Sequence, residues 1–428
     1  MERLYQYLWK HRMLGRTLTL DDGRPLVILS PGVLNTDAGP DFRDSRIRIG
    51  STEWAGNVEI HVRASDWHRH GHDSDPAYHN VILHVVSVAD TTVTRPDGTR
   101  IPQLTACFPK SFFNMYAQLS ADIAAVKCGR RLDSLSRLEK EDWLETLAAE
   151  RMQGKAARIL DTCRAESGDW ERTCFLTLAR ALGFGLNGVP FEMMARSLPL
   201  NYLARHSDNP IQLEALLFGQ AGMLDTSIHI FDEYYQMLCR EYFFLARKYG
   251  LRPIRSDVWK YARTRPGNFP HRRIALLAKS LTGGFSLMAG ILEAGSDPDA
   301  GRRLFDWHLD GYWTTHSDFD REAPGSPANL SEASINLLLI NLVAPLLYAY
   351  GSAHGDPDGA ERGLDLWHSL APENNTYIRQ WKNVGLDCDD AMRSQALIQL
   401  RREYCDKGRC LDCRFGHALL RHSVTDNL

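Results

Sequence analysis

The sequence predicts an α+β protein, in which an N-terminal mixed β-sheet domain precedes a larger, all-α helical domain. Three observations lead to this prediction. Apolar and polar residues alternate in the period-2 pattern of strands mainly before residue 110. Beyond that point, nearly every apolar segment has the spacing of a helix face. The chain has 428 residues, enough for two or three buried cores. The predicted domains are therefore 1–110 and 111–428.

The predicted N-terminal domain opens with a helix, followed by a strand and a hairpin. Residues 2–14 place apolar side chains on one helical face, and the apolar run at 25–30 is typical of a buried strand. Residues 45–62 alternate apolar and polar side chains, with Gly50 where a turn is needed. After a polar segment, the apolar run at 81–88 is predicted to add a further strand.

Two acids and a histidine converge at this hairpin. Side chains two apart along a strand point to the same face, so Glu59 and His61 should project together. Asp41 lies at the start of the preceding strand. Carboxylates are the ligands that Mg²⁺ and Mn²⁺ prefer, and such an ion can activate water for hydrolysis. We therefore predict a catalytic site of Asp41, Glu59 and His61, in which the two acids bind Mg²⁺ or Mn²⁺.

More histidines follow the hairpin closely. Five of them lie between His61 and residue 85: His68, His70, His72, His79 and His84. Imidazole titrates near neutral pH and is a common metal ligand, so this density indicates more than packing. We expect His70 or His72 to act in catalysis by protonating the leaving oxygen of a cleaved phosphodiester.

The motif formed by Pro40-Asp41 and Glu59-Ile60-His61 resembles that of the PD-(D/E)xK nucleases, with His61 where that family carries a lysine. The predicted order of a helix, three strands, a helix and another strand resembles the core of restriction-endonuclease-like domains. Residues 67–70 (WHRH) are similar to the W-H-x-H segment of mismatch-patch repair endonucleases. The resemblance implies a metal-dependent nuclease acting on DNA or RNA. Nucleases of this fold often carry another acid on the first helix, where this chain has Glu2.

Two other interpretations use the same residues. The N-terminal domain could be a non-catalytic, nuclease-like scaffold, or a nucleic-acid-binding protein with a structural metal site, as the missing lysine would allow. Alternatively, His68 with His70, or His70 with His72, could be the H-x-H pair of a cupin-like β-barrel. Cupins place their glutamate after that pair, whereas Glu59 precedes it. The cupin-like interpretation is therefore the weaker one.

The predicted C-terminal domain contains one unusually apolar segment. Residues 335–351 carry a proline and two asparagines and are too short to cross a bilayer comfortably, which favours a buried helix. Ser331 stands where an N-cap for this helix is expected.

Three cysteines near the C-terminus have the spacing of a metal site. Cys405, Cys410 and Cys413 follow a C-x4-C-x2-C pattern, which lets a helix end and the next turn place three thiolates around one ion. The fourth ligand would be Cys388 or His417. Thiolates suit both Zn²⁺ and an iron–sulfur cluster. Some RecB-like nucleases and related CRISPR-adaptation exonucleases carry a four-cysteine iron–sulfur cluster, with a different spacing. The alternative is a set of buried thiols.

A basic loop precedes a helix at residues 263–273. Backbone N–H groups at a helix start and the planar forks of arginine both suit phosphate oxygens. The net charge of the chain is −3, so nucleic acid could be held only by such a local patch. We predict that four arginines form a nucleic-acid-binding wall on the side of the acidic site: Arg263, Arg265, Arg272 and Arg273. The alternative is that these side chains pair with neighbouring carboxylates.

Along nearly the whole chain, seven motifs resemble, in this order, a bacterial family of domains of unknown function: GPDF, GNVEIHV, DWHRHGH, VILHVV, EALLFGQAGML, RPGNFPHRRIA and SQALIQLRREYCDKGRCLDC. This resemblance implies no particular activity. The first residues lack the features of a secretory signal, and nine cysteines without one favour a reducing cytoplasm. We expect a cytoplasmic protein that binds nucleic acid and no membrane; its oligomeric state is left open.

Overall fold

The computed structural model describes residues 2–14, 18–106, 110–121, 124–225, 230, 232–262, 268–323 and 327–425. They form two compact units, one of Met1–Lys140 with Tyr404–Leu428 and one of Glu141–Glu403. The first contains a mixed β-sheet, and the second is helical apart from a two-stranded ribbon. The α+β prediction is confirmed. Residues 404–428, which the sequence placed in the helical domain, group with the first unit.

The elements are numbered in chain order. The strands are β1 (Leu18–Thr19), β2 (Pro25–Ser30), β3 (Val33–Leu34), β4 (Phe42–Ile49), β5 (Thr52–Arg63), β6 (Val81–Val88), β7 (Gln103–Thr105), β8 (His316–Asp318) and β9 (Arg321–Glu322). The helices are α1 (Glu2–Lys10), α2 (Asp66–Arg69), α3 (Lys110–Ala121), α4 (Arg137–Ala165), α5 (Trp170–Leu182), α6 (Gly188–Arg196), α7 (Leu200–Ala204), α8 (Pro210–Gln220), α9 (Glu233–Tyr249), α10 (Pro270–Leu281), α11 (Leu287–Ala294), α12 (Pro298–Arg303), α13 (Glu332–Leu338), α14 (Ala344–His354), α15 (Pro357–Ser369), α16 (Thr376–Lys382), α17 (Ala391–Gln399) and α18 (Arg414–Thr425).

The sheet of the first unit has the order β1-β2-β4-β5-β6-β7, with β3 also pairing with β4. Strands β4 and β5 form the predicted hairpin, and Gly50 in its two-residue turn has a positive φ of 57°. Strands β5, β6 and β7 run parallel. The connection from β5 to β6 contains α2 and a 3₁₀ turn at Pro76–Tyr78.

One predicted strand differs from expectation in its burial. Residues 25–30 do form β2, but only Leu26 is buried, and Val27 is 49% exposed. Strand β2 has only the two-residue β1 on its outer side, so it lies close to the edge of the sheet. An apolar run alone does not distinguish a central strand from one near an edge.

The two faces of β5 are covered in different ways. On one face, Val58 and Ile60 are fully buried in a core that includes Trp9 of α1. On the other face, Glu59 and His61 are also buried. Both faces of β5 are covered at this point, so the alternation along the strand separates an apolar buried face from a polar buried face.

The second unit contains the apolar helix that the sequence predicts. Ser331 is its N-cap, and its hydroxyl accepts a hydrogen bond from Ser334 N at 3.2 Å. Helices α13 and α14 are joined by a π-helical turn at Leu339–Val343. Among the described residues, this run, Glu332–His354, is the one helix long and apolar enough to cross a membrane, and 56% of its most apolar window is buried in the fold. Buried core helices commonly have this composition.

Close packing of α8 against α9 requires a glycine at position 219. A Cβ atom there would lie 2.0 Å from the ring of Tyr242, which is 3% exposed. We expect Gly219→Ala to lower the free energy of unfolding by about 1–3 kcal/mol, because the buried ring must move. Gly154→Ala is the matched control, since a Cβ at that exposed position in α4 meets nothing within 4 Å. The control should be as stable as the parent or more so in urea unfolding. Equal stability of the two variants would contradict the packing argument.

Candidate metal centre

Three histidines and a glutamate bring their donor atoms together on the polar buried face of β5. His61 Nε2 lies 3.2 Å from His70 Nδ1 and 3.4 Å from Glu59 Oε1. His72 Nε2 also lies 3.4 Å from Glu59 Oε1. One ligand atom from each histidine lies within 4.8 Å of those of the other two. These four side chains are referred to below as the His/Glu cluster.

Three donor–donor distances in the His/Glu cluster match those between ligands of one tetrahedral metal ion. An ion bound at roughly 2.0–2.1 Å by four donors separates neighbouring donors by about 3.3–3.4 Å, because the edge of a tetrahedron is about 1.63 times its centre-to-corner distance. Three donor pairs of the cluster have this separation, at 3.2, 3.4 and 3.4 Å, and the three histidine donors lie within 4.8 Å of one another. A modest movement of these side chains would therefore bring the four donors around one ion.

One nitrogen of the cluster has no hydrogen bond. His72 Nε2 is buried and has no such partner among the described residues, although Glu59 Oε1 is nearby. A buried polar atom without a partner costs free energy, so native proteins rarely retain one without a reason. An ion between His72 and Glu59 would supply the missing interaction.

Local backbone geometry brings His70 and His72 to the sheet. His70 ends the short helix α2, and Gly71 follows with a positive φ of 75°, which glycine adopts without strain. The chain then turns back, and His72 N donates to Trp67 O at 3.2 Å. The ring of Tyr78 stacks on that of His72 with centroids 3.7 Å apart. His72 is buried by this arrangement, and His70 stays exposed.

A fourth histidine, His84, fixes the orientation of the His61 ring. His84, on β6, is fully buried, and its Nε2 lies 2.9 Å from His61 Nδ1. A partner on the second ring nitrogen fixes the orientation of a ligating imidazole. Burial, followed by the neighbouring imidazoles, lowers the pKa of His61 to about 2 and that of His84 to about 4. Both rings are therefore neutral at physiological pH, the form that binds metals.

Asp41 lies beside the His/Glu cluster, as the sequence predicts. Its backbone N donates to Glu59 Oε2 at 3.0 Å, and its carboxylate accepts from Ile60 N at 3.0 Å and from Gln6 Nε2 at 2.8 Å. Burial and, second, the charge of Glu59 raise the pKa of Asp41 to about 8, although the hydrogen bonds from Ile60 N and Gln6 oppose the rise. Asp41 is therefore largely protonated at neutral pH when no cation is bound.

Helix α1 adds a third acid to this region. Glu2 and Gln6 are four residues apart and share a helix face. Burial raises the pKa of Glu2, and the charges of Glu59 and Asp66 act in the same direction, whereas His70 lowers it. The sequence indicated Glu2 only through the resemblance to nucleases. Gln6 was missed, because nothing in the sequence shows which side of α1 faces the sheet.

The described residues leave the cupin-like interpretation without support. The sheet is open, with β1 and β7 at its ends, and does not close into a barrel. His68 is exposed and pairs with Asp73 at 2.7 Å, away from the cluster. The pair His70 and His72 does converge, but with a glutamate that precedes it in sequence.

Comparison with known proteins places the chain in a family. The family described as "Protein of unknown function (DUF2851)" matches residues 2–376. The chain belongs to the DUF2851 family. The match includes the whole His/Glu cluster, whereas the three C-terminal cysteines lie beyond it. No curated protein matches the chain significantly, nor does any solved structure. Membership of a family of domains of unknown function, as the motifs predict, is confirmed; the resemblance to nucleases is not.

The C-terminal cysteines of this DUF2851 member meet another cysteine in the first unit. Cys405, Cys410 and Cys413 line a small cavity together with Cys128, which the spacing of the C-terminal cysteines did not indicate. Neither of the two expected fourth ligands, Cys388 and His417, is among the residues that line this cavity. Cys388 belongs to the second unit, where its thiol donates to Asp390 O at 3.6 Å. The ring of His417 is hydrogen-bonded through Nδ1 to the Tyr7 hydroxyl at 2.6 Å.

The predicted arginine wall is not formed by the arginines that can be described. Arg272 is 1% exposed and donates to three backbone carbonyls, including His316 O at 2.9 Å. Arg273 is 4% exposed and lies over the ring of Phe184. Both are therefore internal parts of the second unit and do not present a surface, which corrects their predicted role. Arg263 and Arg265 lie outside the described residues.

Proposed function

We propose that the first unit of this protein is a metal-dependent hydrolase that cleaves phosphodiesters. The observation that carries the proposal is the convergence of three imidazole nitrogens and the Glu59 carboxylate in the His/Glu cluster. Imidazole nitrogens suit transition metals such as Zn²⁺, whereas Mg²⁺ prefers oxygen ligands. The expected Mg²⁺ or Mn²⁺ site at Asp41 and Glu59 thus becomes a site for Zn²⁺ or Mn²⁺ in which Glu59 is a ligand and Asp41 a neighbour.

Burial divides the cluster into two parts with different roles. Glu59, His61 and His72 are buried and held by the sheet and the Tyr78 ring, which makes them the permanent ligands. His70 is exposed at the end of α2, so it can leave the ion when water or substrate takes its place. Catalytic metal sites typically have three protein ligands and one such open position. Once displaced, His70 is placed to protonate the leaving oxygen.

Asp41 is the proposed general base. A divalent ion next to Glu59 would favour the ionised form of Asp41, whose carboxylate could then accept a proton from the attacking water. A metal ion supplies a water of lowered pKa and neutralises charge on the phosphate. The choice of a phosphodiester rests on the order α1, β2, β4, β5, α2, β6, which is the order expected of a nuclease-like core, and on the acids Glu2, Asp41 and Glu59 along it.

The second candidate function is a structural metal site without catalysis. It is favoured by one observation, namely that the cluster contains four protein donors, as closed structural sites do. In that case His70 would be a permanent ligand, and its loss would release the ion. The two functions therefore predict different behaviour for the same substitution.

The test compares three histidine variants after metal removal with a chelator and reloading with Zn²⁺, Mn²⁺ or Mg²⁺. His72→Ala should lose the ion, and His70→Ala should retain it while losing hydrolysis of single- or double-stranded DNA or of RNA. His79→Ala is the control, because His79 is exposed in the same segment and outside the cluster. Loss of the ion from His70→Ala, together with an inert parent protein, would favour the structural site. An ion retained by His72→Ala would contradict both.

A further inference from the structure

A large cavity in the second unit is lined by side chains of one dominant charge. Its volume is about 660 Å³, within the range of small-molecule sites. Four cations line it without forming an ion pair among the described residues: Arg151, Lys155, Arg158 and Arg402. The cavity lined by these residues is referred to below as the basic cavity. A fifth cation, Arg180, is neutralised at the same wall by Glu192 at 2.6 Å.

Helix α4 supplies three of the four cations from one face. Arg151, Lys155 and Arg158 are spaced i, i+4 and i+7, which stacks them along a single stripe. Like charges at this spacing repel one another and destabilise an isolated helix. Lys155 is only 8% exposed, so its ammonium group is held near the other two with little screening by water. Such an arrangement needs an interaction that offsets the repulsion.

The nearest carboxylate meets these cations only through amide side chains. Lys155 Nζ donates to Asn341 Oδ1 at 2.5 Å, and Arg151 Nε donates to Gln395 Oε1 at 2.7 Å. Both amides in turn donate to Glu373 Oε1, at 3.1 and 2.6 Å. Burial and, second, the charge of Arg151 together lower the pKa of Lys155 to about 7. The other two carboxylates that line the cavity, Glu192 and Asp161, pair with Arg180 and Arg164 and not with the four cations.

Irregular helices form part of the same wall. Asn341 lies in the π-helical turn Leu339–Val343, and Arg402 lies in a second π-helical segment, Leu400–Cys405. π-Helical turns are rare, cost regular hydrogen bonds and are found frequently at functional sites. Two π-helical segments contribute residues to the wall of this cavity, and this observation is independent of the charge of the cavity.

We propose that the basic cavity binds a ligand carrying one or more phosphate groups. Arginine forks match phosphate oxygens in a bidentate manner, and the buried ammonium of Lys155 adds a point charge at the closed end. Arg158 and Arg402 are exposed, so they stand at the mouth, where a phosphate would first be met. The volume suits a nucleotide or a short stretch of nucleic-acid backbone, and the shared chemistry is the phosphate group.

The test measures binding of pyrophosphate, ATP and a short single-stranded oligonucleotide to the full chain by titration calorimetry. Arg158→Gln and Arg402→Gln should each weaken binding about tenfold, which corresponds to about 1.4 kcal/mol. Arg240→Gln is the control, since Arg240 is an exposed residue of α9 that does not line the cavity. It should bind like the parent.

The three ligands separate the sources of the phosphate. Equal affinity for pyrophosphate and ATP would show that the cavity recognises the phosphate groups alone. Binding of the oligonucleotide alone would show that the cavity recognises nucleic acid. Without ligand, Arg158→Gln should be at least as stable as the parent at low salt, because the repulsion among the cations of the cavity is relieved. If Arg158 had only a structural role, this substitution would lower the stability. Failure of all three ligands to bind, or an equal effect of Arg240→Gln, would overturn the proposal.

An independent observation carries a second inference, on the cysteine cavity of the first unit. We infer that Cys128, Cys405, Cys410 and Cys413 bind one thiophilic metal ion. The cavity that they line has a volume of about 20 Å³, room for a single ion or water rather than a multi-iron cluster. Four thiolates around one ion are the ligand set of a structural zinc site.

Backbone packing supports this site. Gly416, in α18, lies so close to the cysteine turn that a Cβ atom there would be 2.0 Å from Cys410 O. The turn that contains Cys410 therefore packs closely against the start of α18. Cys410 and Cys413 line the same cavity as Cys128. An ion here would tie residues 404–428 to the segment around residue 128 within the first unit.

The test is release of zinc from the purified chain by an organomercurial, which attacks thiolates and spares histidine sites. Cys128→Ser should release no zinc and should unfold at lower temperature, whereas Cys388→Ser should behave like the parent. Because the readout is specific to thiolates, it is independent of the His/Glu cluster. Visible colour and bound iron would overturn the single-ion assignment, and unchanged zinc in Cys128→Ser would overturn the role of Cys128.

Discussion

Glu59→Gln is expected to abolish hydrolysis and to weaken metal binding by about two orders of magnitude. If four ligands share a metal-binding free energy of roughly 10–16 kcal/mol, each contributes about 2.5–4 kcal/mol. Loss of one ligand then lowers the affinity roughly a hundredfold or more. Glutamine has the shape of glutamate and can still accept the hydrogen bond from Asp41 N, so the fold should be retained. It lacks the charge that binds the ion between His61 and His72. Competition with a chelator measures the affinity.

Glu53→Gln provides the matched control for this substitution. Glu53 lies on the same strand, β5, but its side chain is exposed and pairs with Arg48 at 2.5 Å. Metal affinity and hydrolysis should be those of the parent. If Glu59→Gln binds the ion as tightly as the parent does, the ion is not in the His/Glu cluster. If it loses the ion while cleaving substrate at the parental rate, hydrolysis occurs at another site.

Asp41→Asn is expected to abolish the proposed hydrolysis while stabilising the metal-free protein at alkaline pH. The folded protein holds the pKa of Asp41 at about 8, whereas an unfolded chain has an aspartate pKa of about 4. A raised carboxyl pKa means that the folded state binds the proton more tightly, so stability is lost as pH rises between these two values. Asparagine cannot ionise and avoids that loss. Its amide can accept from Ile60 N and donate to Gln6 after the Gln6 amide turns.

The measurement is the thermal midpoint of parent and variant between pH 4 and pH 9 in chelator. The difference in favour of Asp41→Asn should grow with pH up to about 8 and then level off. Saturating Zn²⁺ or Mn²⁺ should shrink it, because a cation favours the ionised carboxylate of the parent. Asp37→Asn serves as the control, since Asp37 is exposed in the same loop. A difference that does not change with pH would show that Asp41 is not the group held protonated.

Much of the fold follows from local patterns that the sequence displays. The alternation along β5, the Gly50 turn and the Ser331 cap each depend on a few neighbouring residues, so the hairpin and the capped helix were predicted correctly. The same period-2 rule placed Glu59 and His61 on one face. Strand β2 was predicted at its correct position, but its burial was not, because burial depends on which strand lies next to it.

The sequence by itself determined which residue types are close along the chain, including Glu59 with His61 and the C-terminal cysteine trio. Only the tertiary structure decided which distant residues join them. Cys128 meets that trio across a long stretch of chain, and Gln6 reaches Asp41 from another element. The arginines Arg272 and Arg273 are buried although their sequence suggests a surface. The reason is physical: spacing fixes the face of one element, whereas the partner of that face is selected by packing of the whole core.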